Sequence, residues 1–144
     1  MTTALDAYAV LALLKGEPAS GQVRTLIDAG GATLTVLGVA EVVDHLVRIV
    51  GVDEEDAALD LAQLGLTDPD PLGAQLTLRA GLLRARHYHR TDRSVSLADC
   101  VLAEVARALS TSVATSDLHL LDVCDDEGIA VSPLPDSLGH TWSR

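Results

Sequence analysis

The chain contains no phenylalanine, and Tyr8, Tyr88 and Trp142 are its only aromatic residues. A core without large rings must be built from Leu, Val and Ala, and the abundance of Ala and Leu favours helices. Cysteine is scarce too. Cys100 and Cys124 lack metal-type spacing and sit in apolar stretches, which predicts reduced, buried thiols in a cytoplasmic protein. No apolar run reaches the roughly 18 residues of a transmembrane helix, so no membrane role is expected. The opening MTTALDAYAVLALLKGEP lacks a basic start and carries Asp6 early, which argues against a secretory signal. Positive charge is short: ten Lys and Arg face 21 Asp and Glu, for a net charge of −11. That excludes non-specific polyanion binding by the whole surface.

What is present is apolar. Such residues make up 48 % of 144, enough for one domain over 1–144 with a real core and no disulfide staples. Short strands are expected at Thr3–Leu5, Ala32–Leu37, Ser112–Thr115 and Ile129–Val131. Helices are expected at Ala7–Lys15, from Pro18 to about Asp28, at Val39–Val50, from Asp53 to about Leu64, and at Leu72–Tyr88, Leu97–Leu109 and Leu118–Cys124. Leu66–Pro71 reads as a Pro/Asp loop and Arg90–Val95 as a polar one. Strands alternating with helices predict an α/β fold: a central parallel sheet covered by helices on both faces. In such sheets ligands bind beyond the carboxyl ends of the strands.

Four acids fall at strand ends or in early helical turns: Asp6, Glu41, Asp99 and Asp117. Each has an ordinary explanation. Asp6 and Asp117 suit N-caps, and Ser96-x-x-Asp99 resembles a capping box. Glu41 belongs to a polar stripe with Asp44, His45 and Arg48. In the Leu97–Leu109 helix, Glu104 and Arg107 mark the expected wet side, and Asp99 lies at the boundary in line with Ala103 and Ala106. A parallel sheet would bring all four acids to one edge. Gathered carboxylates raise one another's pKa, and a hard divalent cation removes that penalty.

In this order and spacing the residues resemble a PIN domain, and within it a VapC-type toxin of a bacterial toxin–antitoxin pair. LDAYAVLALLKGEPA, with Asp6 as the first acid, resembles the first strand and helix of that family, and TLTVLGVAEVVDHLVR, with Glu41, resembles its second region. SLADCVLAEVARAL, with Asp99, resembles the third. VATSDLHLLDV, with Asp117 and the hydroxyl of Thr115 two residues earlier, resembles the fourth. The resemblance implies a PIN-like three-layer sandwich and a metal-dependent endoribonuclease with one or two Mg2+ or Mn2+ ions held by the four acids. It also implies a cognate antitoxin partner and a homodimer. One position departs from the family pattern. Where many relatives have Ser or Thr two residues after the first acid, this chain has Tyr8.

Half of the Lys and Arg lie in one short segment as Arg79, Arg84, Arg86, Arg90 and Arg93. Arginine donates bidentate hydrogen bonds to phosphate, so Arg84, Arg86, Arg90 and Arg93, with Thr115, are the expected RNA contacts. The shortage of rings favours recognition of structured RNA by shape and phosphate over stacking along a strand. His45 reads as a paired surface residue and Asp122 as an exposed one. The rival readings are a catalytically inactive PIN-fold protein-binding module, a small phosphatase, and a scaffold whose acids only cap helices. The phosphatase lacks the second carboxylate of an Asp-x-Asp pair, because Tyr8 stands there.

Overall fold

The computed structural model describes residues 3–66 and 69–144. Four strands, β1 (Thr3–Leu5), β2 (Ala32–Leu34), β3 (Ser112–Thr115) and β4 (Val131–Pro133), form one parallel sheet in the order β2-β1-β3-β4. Among the described residues seven α-helices join and cover them: α1 (Ala7–Lys15), α2 (Ser20–Asp28), α3 (Val36–Asp44), α4 (Glu54–Leu64), α5 (Ala74–His87), α6 (Leu97–Leu109) and α7 (Leu118–Asp126). A π-helical segment, His45–Val50, continues α3.

Successive strand residues face opposite sides, and the two sides hold separate cores. Leu5, Leu34 and Ala114 meet the buried faces of α1 to α4, including Val10, Val23, Val42 and Leu61. Ala4 and Val113 meet α5 to α7 through Leu83, Leu102, Leu120 and both cysteines. Burying each Leu or Val stabilises the fold by about 1.5–3 kcal/mol. Small Ala residues at the sheet let the helices sit close, which is how a core without Phe fills its space. Cys100 and Cys124 are free and buried, and burial pushes their thiols up to about 11 and about 12.

Several boundaries differ from the sequence expectation. The strand read as Ala32–Leu37 stops at Leu34, because the Thr35 hydroxyl accepts the Gly38 N–H at 3.0 Å and starts α3 there. Pro18 lies in the turn ahead of α2 rather than in its first turn. α5 begins only at Ala74, after Pro71 and Gly73. The last strand sits two residues later than expected. The Ile129 N–H is taken by the Cys124 carbonyl at 2.8 Å, finishing the longer α7, and Pro133 is tolerated because β4 is an edge strand. Residues 67 and 68 of the expected Leu66–Pro71 loop lie outside the described residues. Glu104 is not on a wet face. It is 3 % exposed and pairs with Arg107 at 3.2 Å and Arg79 at 3.8 Å, which is what makes burying its charge tolerable.

The chain after β4 runs along α7. Trp142 Nε1 donates to Asp122 at 2.9 Å, and Arg144 pairs with Asp125 and Asp126.

Gly38 permits the early start of α3. A Cβ there would lie 2.5 Å from Leu34 Cδ1, a buried atom at the end of β2. Gly38→Ala is expected to destabilise the fold by about 1 kcal/mol, overpacking outweighing the gain in helix propensity. Chemical denaturation of a double-mutant cycle with Leu34→Val checks it: the cycle should show favourable coupling, because the shorter side chain makes room.

Candidate active site

Four helices begin at the carboxyl edge of the sheet. Asp6 caps α1 directly after β1, Thr35 caps α3 after β2, Ser96 caps α6, and Asp117 caps α7 just after β3. All four cap residues line one cleft of about 190 Å3, together with Tyr8, Glu41 and Asp99. Glu41 comes from the second turn of α3. The sheet order makes this geometry. The connection from β1 leads to one side and β3 lies on the other, so the cleft opens where the strand order reverses.

The capping readings and the clustering are both true. Asp6 Oδ1 accepts the Ala9 N–H at 2.8 Å, and its Oδ2 accepts the Thr115 hydroxyl. Thr115 Oγ1 in turn accepts the Asp117 N–H at 3.0 Å. Asp117 Oδ1 accepts from His119 and Leu120 N–H at 2.9 and 3.2 Å. Asp99 Oδ2 accepts the Ser96 N–H at 3.0 Å, completing the capping box. Capping therefore uses one oxygen of Asp99 and one of Asp117. Among the described residues the other oxygen of each has no protein donor.

The electrostatics follow from this crowding. Asp6 is 8 % exposed, and burial pushes its carboxyl up to about 7, with the charges of Asp99 and Asp117 adding and the Thr115 and Ala9 hydrogen bonds opposing. Asp99 is raised by burial and by Asp117, against its bonds to Ser96. Glu41, more open, is raised by partial desolvation and by Asp99.

These residues suit a hard cation. The donors are carboxylate oxygens with free lone pairs, in a polar cleft that lacks positive side chains. Among the described residues no three His, Cys, Asp or Glu side chains converge as a ready ligand cluster. The acids ring the space instead, an arrangement open to Mg2+ or Mn2+, since Mg2+ usually keeps several of its waters and binds few carboxylates directly.

Other expected site residues lie elsewhere. Thr115 is fully buried between Asp6 and Asp117, a positioning group with no surface for substrate. None of the four arginines lines the cleft. Arg84 donates to the Val95 carbonyl at 2.9 Å and covers the Tyr88 ring at 4.2 Å. Arg86 pairs with Glu127 at 3.2 Å and Arg93 with Asp126 at 2.8 Å, at the end of α7 opposite Asp117. Arg90 is exposed and unpaired among the described residues. His45 meets Tyr8 edge to face at 6.3 Å, and Asp44 takes Arg48 at 2.8 Å. Asp122 is occupied by Trp142. The sequence reading missed Thr35 and Ser96 as cleft residues. Their signal was a hydroxyl three residues before a helical backbone donor, masked at Thr35 by β-branched neighbours.

The buried carboxyl sets a pH dependence. Without metal, folded Asp6 holds its proton up to about pH 7, whereas its unfolded value is 3.8. The folded state binds the extra proton between those values, so this contribution to stability falls as pH rises through that window. The fall is at most about 4 kcal/mol, at ~1.4 kcal/mol per unit. Urea denaturation in EDTA at pH 5 and pH 8 should show it, and Asp6→Asn should flatten most of it.

The chain matches the family model of the PIN domain over residues 3–126. No curated protein matches it. Among solved structures it is similar to VapBC2 from Rickettsia felis bound to a DNA fragment from their promoter. That likeness has 15 % identity and a TM-score of 0.65, covering 92 % of this chain and 98 % of that one. It is also similar to FitAcB from Neisseria gonorrhoeae, at 20 % identity and a TM-score of 0.60, over 90 % of this chain and 96 % of that one. At such identities the likeness is one of fold. The family model, however, runs from β1 through α7 and spans all four acids of the cleft, and the chain belongs to the PIN domain family.

Proposed function

We propose that this protein is a Mg2+- or Mn2+-dependent endoribonuclease of the VapC type, the toxin of a toxin–antitoxin pair, acting in the cytoplasm. The observation that carries the reading is the cleft. Four carboxylates gather at one sheet edge, and Asp99 and Asp117 each keep an oxygen that capping does not use.

Asp99, Asp117 and Glu41 would hold one or two ions, with Asp6 behind them. When bound, such an ion supplies Lewis acidity: it lowers the pKa of water for in-line attack on a phosphodiester and neutralises charge on the phosphoryl oxygens. The chain's own residues do the rest. Thr115 fixes Asp6 against Asp117, and the Ala9, His119 and Leu120 amides orient the carboxylates. The unpaired Asp99 and Asp117 oxygens can accept the proton of the attacking water. Among the described residues Arg90 is the member of the arginine strip with no partner to leave before meeting backbone phosphate, whereas Arg84 would have to leave the Val95 carbonyl and the Tyr88 ring, Arg86 Glu127 and Arg93 Asp126. The likeness to VapBC2 supports a cognate antitoxin, and the homodimer rests on the resemblance of the motif stretches to the family alone.

The test is cleavage of a mixed RNA pool by purified, antitoxin-free protein with Mg2+, Mn2+ or EDTA. Cutting should require metal and fall roughly 100-fold or more in Asp99→Asn. A thermal melt is the companion measurement. Mn2+ at about 100 times its Kd should add about 2.7 kcal/mol to the wild type and much less to Asp99→Asn. Metal stabilisation without any cutting would instead identify an inactive PIN-fold binding module.

A further inference from the structure

The cleft does not end at its carboxylates. Tyr8 lines both it and a second cavity of about 180 Å3, which lies between α1 and the segment after β4. The second cavity is lined by apolar Ala12 and Leu134, by polar Ser116, Asp136 and Ser137, and by the Lys15–Glu17 ion pair. Ser116 is the residue before Asp117, so the two spaces adjoin at the catalytic edge.

The chain has three aromatic side chains, and two are engaged. Tyr88 lies beneath the Arg84 guanidinium, and Trp142 is half-buried with its N–H bonded to Asp122. Tyr8 is different. It stands in the first turn of α1, two residues after Asp6, and its side chain is 63 % exposed. The edge-to-face contact with His45, at 6.3 Å and 76°, meets the ring without covering most of its surface. A largely open ring between a carboxylate cleft and a half-apolar cavity has the form of a stacking surface. Base–aromatic stacking contributes about 1–3 kcal/mol per base.

We propose that Tyr8 is a base platform: the nucleobase next to the scissile phosphate stacks on its ring and enters the second cavity while the phosphate lies among the carboxylates. The proposal rests on the ribonuclease reading. It gives the protein one stacked base where its poverty in rings forbids a stacked run, and that single seat is where sequence preference at the cut would arise. Ser116, Ser137 and Asp136 line the cavity, and their side-chain oxygens, other than the Asp136 Oδ1 held by the Leu138 and His140 amides, are the groups available to the edge of the base. Asp136 stays ionised for this, because the His140 and Leu138 amides hold its carboxyl below the usual range.

The experiment compares wild type, Tyr8→Phe and Tyr8→Ala on one mixed RNA pool with Mn2+, sequencing the ends and measuring kcat and KM on a substrate taken from the pool. An exposed ring can be replaced without unfolding, which a thermal melt verifies. Tyr8→Ala should lower kcat/KM about ten-fold, mainly through KM, and flatten the base preference beside the cut, while Tyr8→Phe keeps both. Unchanged KM and preference in Tyr8→Ala would overturn the base platform and leave the nuclease standing. So would Tyr8→Phe behaving like Tyr8→Ala, which would assign the effect to the hydroxyl, or a loss confined to kcat. Absence of metal-dependent cleavage by the wild type would overturn the ribonuclease reading and the platform with it.

Discussion

The Thr115 hydroxyl is the interaction on which the acidic edge depends. It is fully buried, donates to Asp6 and accepts from the Asp117 amide, so one oxygen ties the end of β1 to the start of α7. Enclosing a carboxylate as completely as Asp6 is costly and favours its neutral form. Two hydrogen bonds, from Thr115 and from Ala9, oppose that cost. The bond also spans a long sequence separation, between residues 6 and 115. The site therefore exists only when the two central strands have paired.

Around that bond the fold places the amino ends of α1, α3, α6 and α7. Each contributes amides without intrahelical partners, some of them taken by the caps, and a partial positive charge. The same geometry that gives the acids their capping work also offsets part of their mutual repulsion. Capping and cation binding are thus complementary. At Asp99 and Asp117 the cap fixes one carboxylate oxygen and leaves the other without a protein donor among the described residues.

Much of this was legible in the chain. Strands ending in acids and helices opening with Ser or Asp indicated both the parallel sheet and the edge where Asp6, Glu41, Asp99 and Asp117 meet. The misreadings have local causes. Ala32–Leu37 is β-branched and apolar throughout, so nothing in periodicity distinguishes the strand from the first turn of α3. The Thr35 cap and the close approach at Gly38 decide it. Glu104 looked solvated because a sequence shows charge but not partners, and Arg79 and Arg107 come from two different helices. The arginine strip failed to reach the cleft for a similar reason. Arg86 and Arg93 were claimed by Glu127 and Asp126, whose positions depend on α7 extending past Cys124, and Arg84 by the Val95 carbonyl.

That internal claim on positive charge reaches further. Lys15, Arg48, Arg79, Arg86, Arg93, Arg107 and Arg144 are all in ion pairs. The net charge is −11. A nucleic acid strand drifting towards such a molecule meets repulsion before it meets the cleft, and few counterions are displaced on arrival. Encounter should then quicken as added salt shortens the range of the field, the reverse of what basic nucleases show. The same field hastens the arrival of cations and of any partner with a basic tail.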